Sequence, residues 1–230
     1  MKPPLPPLPP GQRERPDFPR FGMTAFADRA PADLAQVSVR CTGAVRTPWV
    51  LDAAALATLP RVEQVCDFHC VTSWSRRAQR WSGWRFAQVY RELIVPQTGA
   101  SAEVGWVVFR SQDGYRADLP LEDLLAGDVL LADRLNDEPL GLAHGGGLRL
   151  VAPAHYGYKN VKHLGRIELL SSREGYRPLG PAFMSHDRAR VALEERGRFV
   201  PNWLLRHLFR PLIAPTVAAF ERASRRRNGG

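Results

Sequence analysis

The stretch Val65–Trp74, VCDFHCVTSW, holds two of the chain's three cysteines with a histidine between them. Four chemistries fit that spelling: a zinc site, a disulfide, a buried strand that contains sulfur, or one thiolate given to another metal. If Val62–Val71 is a strand, Cys66, Phe68 and Cys70 share one face, and Asp67 and His69 the other. Four residues of strand then hold Cys66 and Cys70 roughly 13 Å apart. That is too far for two ligands of one zinc, which takes each thiolate at about 2.3 Å, and too far for a disulfide. A zinc site would need a looped stretch and further ligands, and Cys41 is the only other cysteine. Cys41 and Cys66 read as small apolar core residues. Cys70 differs because Thr72–Arg77 is polar and basic, so the strand is predicted to open into a loop there. A thiol at such a mouth, near cations, can be held as the thiolate; a plain buried cysteine fits the same letters.

Working outward, Gln36–Cys41 alternates, with Val37, Val39 and Cys41 on one face. Leu51–Leu59 has helical spacing, a capping candidate in Asp52 and a stop at Pro60. Phe86–Leu93 and Leu121–Leu125 read as short helices. Val104–Phe109, Val129–Leu135, Leu148–Val151 and Arg166–Leu170 read as strands. Short helices among many strands, without βαβ alternation, predict an α+β domain of mixed β-sheets.

Residues 1–20 are proline-rich and predict an extended, disordered arm without a packed core. The net charge is +9, and residues 181–230 hold ten arginines against four acids. A solvated tail, or a dock for an acidic partner or anionic membrane, fits that excess. No nucleic-acid motif accompanies it, so no nucleic-acid partner is expected. The N-terminus shows neither an apolar export core nor a cleavage site, no apolar run is long enough to span a bilayer, and an odd cysteine count does not suggest a disulfide scaffold. The expected location is cytoplasmic.

A second stretch, His144–Leu164, HGGGLRLVAPAHYGYKNVKHL, suits a large anionic ligand. Its three glycines allow close backbone approach, Arg149 offers a fork suited to phosphate, and Lys159 and Lys162 add charge. With Cys70–Ser75, CVTSWS, it resembles the molybdopterin-binding catalytic domain of the sulfite oxidase superfamily. FRSQDGYRADLPLEDLL and VLLADRLNDEPL, between the two, follow in family order, so the likeness covers about residues 36–170. The resemblance implies the sulfite-oxidase-type molybdopterin-binding fold and a molybdenum-molybdopterin cofactor with Cys70 as a metal ligand, consistent with the preference of soft thiolate for such metals. It implies pterin and phosphate contacts at Ser111, His144, Arg149, Gly157, Tyr158 and Lys159; the family often has asparagine where His144 stands. Family members acting on sulfite carry arginine four residues after the cysteine. Trp74 stands there, as in the branch of the bacterial methionine-sulfoxide reductase catalytic subunit.

The likeness therefore implies oxygen-atom transfer to or from a small substrate, with electrons exchanged with a separate electron-transfer protein, free or membrane-bound. Trp74 is expected to wall the substrate pocket, Arg76 to draw in an oxyanion or S-oxide, and Tyr115 to donate a hydrogen bond there. An inactive binding module of the same fold is the alternative. The expected domain map is an arm at 1–20, the molybdopterin domain at 21–175, and a basic, partly helical extension at 176–230.

Overall fold

The computed structural model describes residues 6–180 and 182–228; the first five residues of the proline arm lie outside the described residues. Segments with one apolar face pair edge to edge and bury those faces together. In chain order the strands are β1 Arg13–Glu14, β2 Ser38–Gly43, β3 Trp49–Asp52, β4 Val62–His69, β5 Trp74–Arg85, β6 Trp106–Ser111, β7 Arg116–Pro120, β8 Leu130–Leu135, β9 Glu138–Pro139, β10 Arg149–Val151 and β11 Leu164–Leu170. One sheet runs β1-β5-β8-β10, with β4 also on β5 and β9 on β8; the other runs β3-β2-β11-β6-β7. β1 with β5, and β11 with β2, are parallel.

The helices are short. α1 spans Ala53–Leu56, and the Asp52 carboxylate accepts from Ala55 N at 2.8 Å as its cap. α2 Phe86–Gln88 continues through a π-helical turn, Val89–Ile94, into α3 Val95–Thr98. α4 is Leu121–Leu124, α5 is Asn202–Phe209 and α6 is Ile213–Asn228. The main core joins Val39, Cys41, Leu51 and Ile167 of one sheet to Trp84, Leu131 and Leu150 of the other, with Phe86 and Ile94 in the same cluster. This is the predicted α+β architecture of mixed sheets and short helices.

Three expectations change. The polar run after Cys70 is not a loop: the chain turns within Cys70–Ser73 and β5 begins at Trp74. The strand takes up part of its polar content in place: the Ser75 hydroxyl donates to Gln12 Oε1 at 2.9 Å. The described part of the arm is packed rather than disordered. Arg13 and Glu14 pair with Trp74 and Ser75, and Pro6 O and Pro10 O accept from Arg77 and Arg196. An extended proline backbone makes no internal hydrogen bonds, so its carbonyls are free to take these donors.

The basic extension is continuous with the domain. Tyr156 N donates to Ala189 O at 2.9 Å, and Val191 N to Ala154 O at 2.9 Å. The boundary drawn at residue 175 thus falls inside one packed body. Pro211 divides the terminal helix: it sits in a 3-10 turn at Arg210–Leu212 that separates α5 from α6, while Pro215 lies in the first turn of α6.

Candidate active site

Cys70 follows the last residue of β4, His69, and opens a tight turn. Its N–H donates to Trp74 O at 2.8 Å and its carbonyl accepts from Ser73 N at 3.1 Å. Ser73 sits at φ 77, a left-handed conformation that returns the chain into β5. The Cys70 Sγ lies 3.1 Å from Thr72 Oγ1. Burial pushes the Cys70 thiol up, opposed by the Thr72 hydrogen bonds and the charge of Arg196. The carbonyl of Cys70 also accepts from Gln12 Nε2 at 3.1 Å, and the far side of Gln12 connects through Ser75 Oγ to His69 Nδ1, 2.7 Å away. The thiol is thus set on a turn braced from behind by a buried polar chain.

Trp74 is 3% exposed and is ringed by Phe18, Phe21 and Phe68, at centroid distances of 6.1, 5.5 and 6.0 Å. Phe68 links this turn to the second sequence block. The Arg149 guanidinium lies 5.7 Å from its ring centre, and a Cβ on Gly157 would come within 2.3 Å of its edge. Glycine at 157 is therefore required by close approach. His144 closes the circuit, its ring 4.5 Å from that of Phe18. Burial, followed by the charges of Arg149 and Lys162, holds His144 neutral with a pKa pushed down to about 4.

Arg149 is 2% exposed, and its guanidinium donates to His144 O at 2.7 Å and Asn160 O at 3.3 Å. Lys162 Nζ donates to Phe21 O at 3.2 Å and Ala143 O at 3.3 Å. Neither forms a salt bridge among the described residues. Burial pushes Arg149 down to about 9. Burial, then the Arg149 charge, pushes Lys162 down to about 7. Two neighbouring cations held by carbonyl dipoles and ring faces, with Arg149 4.8 Å from the Trp81 ring centre and no carboxylate partner among the described residues, have the composition of an anion site.

Lys159 is different. It donates to Asp118 O at 2.7 Å and pairs with Asp118 Oδ1 at 3.3 Å, while Arg173 takes the other carboxylate oxygen. Its charge is already answered, whereas Lys162 has no counter-ion among the described residues. Tyr115 donates to Tyr158 O at 2.6 Å and anchors that segment instead of reaching a pocket. Tyr158 Oη accepts from His186 N at 2.8 Å. Ser111 Oγ accepts from Asp113 N at 3.3 Å in its own hairpin turn. Arg76 reaches Arg15 O, 3.5 Å away on the arm. The glycine run also serves chain packing: Gly145 and Gly146 N–H both donate to Gly141 O at 3.0 Å, and Gly147, at φ 82, lies against Gln36 O.

Two contributors are not marked in the sequence. Gln12 sits in a proline arm that composition assigns to solvent. Arg196 sits in a basic tail, yet it is wholly buried. It donates to Val71 O and to Pro10 O, pairs with Glu194 at 3.0 Å, and lies over Tyr156 at 5.2 Å. Arg206 of α5 grips the same Glu194 at 2.6 Å. Only tertiary contact distinguishes these residues from their solvated neighbours.

A thiol on a buried turn, a pair of cations without carboxylate partners and the buried Trp74 Nε1 and Ser73 Oγ, which find no hydrogen-bond partner among the described residues, together fit a large anionic sulfur-metal cofactor. The comparisons with known proteins agree. Residues 27–176 match the oxidoreductase molybdopterin binding domain, and the chain belongs to that family. It is a molybdopterin-binding oxidoreductase domain of the sulfite oxidase superfamily. It is 36% identical over 136 residues to the uncharacterized oxidoreductase YuiH of Bacillus subtilis, covering 59% of this chain and 66% of that protein. It is 30% identical over 153 residues to the protein-methionine-sulfoxide reductase catalytic subunit MsrP of Gluconobacter oxydans, covering 58% of this chain and 46% of that one. The mitochondrial sulfite oxidase of Drosophila melanogaster is 38% identical over 96 residues, covering 38% of this chain and 16% of that protein. The sulfane dehydrogenase SoxCD of Paracoccus pantotrophus shares the fold, with TM-score 0.54 and 21% identity over 70% of this chain and 46% of that chain. The chain thus spans between 16% and 66% of the length of these curated relatives.

Proposed function

We propose that this domain catalyses oxygen-atom transfer to or from a small substrate of S-oxide or oxyanion type, exchanging electrons with a separate redox protein in the cytoplasm. The observation that carries this reading is the Cys70 thiol on its braced turn, joined through Phe68 to the unpaired cations Arg149 and Lys162. When bound, molybdenum-molybdopterin supplies a metal that changes oxidation state and passes an oxygen atom and electrons. Cys70 would give the metal its protein thiolate. Arg149 and Lys162 would hold the phosphate of the pterin, and neutral His144 can hydrogen-bond the pterin through a ring nitrogen. Thr72 keeps a hydroxyl against the sulfur, and Gln12 prevents the turn from rotating.

Trp74, enclosed by Phe18, Phe21 and Phe68, makes the neighbourhood of the turn apolar and aromatic. That favours a neutral S-oxide over a free oxyanion. In the reducing direction an S-oxide, a pair of electrons and a pair of protons give a thioether and water. The test uses protein made in a host competent to build the cofactor. Elemental analysis should give about one molybdenum per chain and no zinc. Turnover is then read with a reduced dye as electron donor, against sulfoxides, and with an oxidised dye against sulfite. Zinc in place of molybdenum would remove the whole reading; molybdenum with no turnover in either assay would remove the substrate class.

A further inference from the structure

The C-terminal segment presents an outward apolar face that none of the described residues covers. α5 is fixed from beneath, with Leu205 and Phe209 buried and Arg206 paired to Glu194. At about 100° per residue, Trp203, Leu204, His207, Leu208 and Pro211 fall on the opposite arc, all exposed. Trp203 is 61% exposed, Leu208 54% and the neighbouring Phe199 86%. Phe199 stands at φ 65, a backbone state that costs a non-glycine residue about 1 kcal/mol or more and that the packing beneath must hold. Apolar residues grouped in this way on a fixed surface mark a docking site.

Charge identifies the occupant. From Arg198 to Arg227 the chain has seven arginines and one acid, Glu221. Arg222, Arg225, Arg226 and Arg227 are exposed, and the pairs formed by Arg225 and Arg226 are long, at 3.5 and 3.9 Å. A second copy of the chain would bring two such segments together against their mutual repulsion. A ridge of tryptophan, phenylalanine and leucine followed by an arginine cluster has the composition of an element that lies in a membrane interface, apolar face down, with its cations on anionic headgroups. No helix among the described residues is long and apolar enough to cross a membrane.

We propose that α5, Phe199 and the arginine end of α6 form a peripheral docking surface for anionic lipid. The surface is separate from the Cys70 turn, and its occupancy is read without turnover. It is also joined to that turn: α5 holds Glu194 through Arg206, Glu194 holds Arg196, and Arg196 donates to Val71 O beside Cys70.

The experiment sediments the full-length holoprotein with vesicles containing about one anionic phosphatidylglycerol to three phosphatidylcholine, and with phosphatidylcholine alone. Wild type should bind the anionic vesicles, and less so as salt rises. Phe199→Ser with Trp203→Ser and Leu208→Ser should weaken binding by about tenfold or more. The melting temperature and molybdenum content should stay unchanged, because these side chains point into solvent. Arg225, Arg226 and Arg227 changed to Gln should weaken binding chiefly at low salt. No binding of wild type to anionic vesicles, equal binding by the apolar triple variant, or a dimer that the triple variant dissolves would each overturn the proposal.

Discussion

Changing Arg149 to Met tests whether the buried cation exists for an anion that binds it. Burial pushes Arg149 well below the ordinary arginine value, down to about 9, so folding disfavours its charged form. That cost is complete below about pH 9 and fades as pH rises toward the unfolded value. At about 1.4 kcal/mol per pH unit, it destabilises the cofactor-free fold by roughly 5 kcal/mol at neutral pH. Methionine removes this cost and fills similar space, but it leaves Leu150 O, His144 O and Asn160 O without this donor. Each orphaned carbonyl costs about 1–3 kcal/mol. The two effects nearly cancel, so cofactor-free Arg149→Met should melt within about 10 °C of wild type, taking about 2–4 °C per kcal/mol for a chain of this size. The loaded proteins should separate sharply. Wild type gains stability from cofactor binding by mass action, and the variant should gain little and release little pterin on denaturation. The assay is thermal melting of each protein with and without cofactor, paired with pterin per chain. The reasoning is refuted if the cofactor-free variant melts more than about 15 °C lower, or if it keeps wild-type pterin.

Cys70→Ser should abolish the sulfur-to-metal charge-transfer absorption while the protein stays folded, whereas Cys41→Ser, in the main core, should lower the melting temperature and leave the absorption intact. Arg196→Ala removes a buried charge that joins the arm, the Cys70 turn and α5; a loss of about 3–5 kcal/mol should appear as a lower melting temperature and as proteolytic cleavage within residues 6–20. Gly157→Ala drives a methyl into Phe68 and should cost about 1–3 kcal/mol, while Gly127→Ala, with nothing within 4 Å, should melt within about 2 °C of wild type. Lys162 and Lys159 are pushed down to about 7 and about 8, so the unfolded chain holds more protons than the fold above those values. Cofactor-free protein should therefore grow more stable from pH 6.5 to 8.5, and cofactor loading should flatten the rise by restoring the Lys162 charge; an unchanged slope would remove Lys162 from the anion site.

Much of the sheet framework was legible because its signals are local. Alternation marked β2, and short apolar strand-like runs marked β4, β6, β8, β10 and β11, since a strand has a face to bury wherever it lies. Asp52 announced α1 because a cap acts within three residues. The cysteine stretch and the glycine-rich block together carried the family and its cofactor. Most of β5 escaped, because Ser75, Arg76, Arg77 and Gln79 look solvated by letter, and only a neighbouring strand and the proline arm provide their partners. Which lysine answers an anion was equally hidden: Lys159 and Lys162 are both lysines in one basic run, and Asp118, 41 residues from Lys159, decides between them. Arg196 shows the limit most clearly. In sequence it is one arginine among ten in the basic C-terminal fifth of the chain, and only the fold buries it against Val71 O and Pro10 O, because a guanidinium can bridge segments that are 125 and 186 residues away in sequence once the sheets have brought them together.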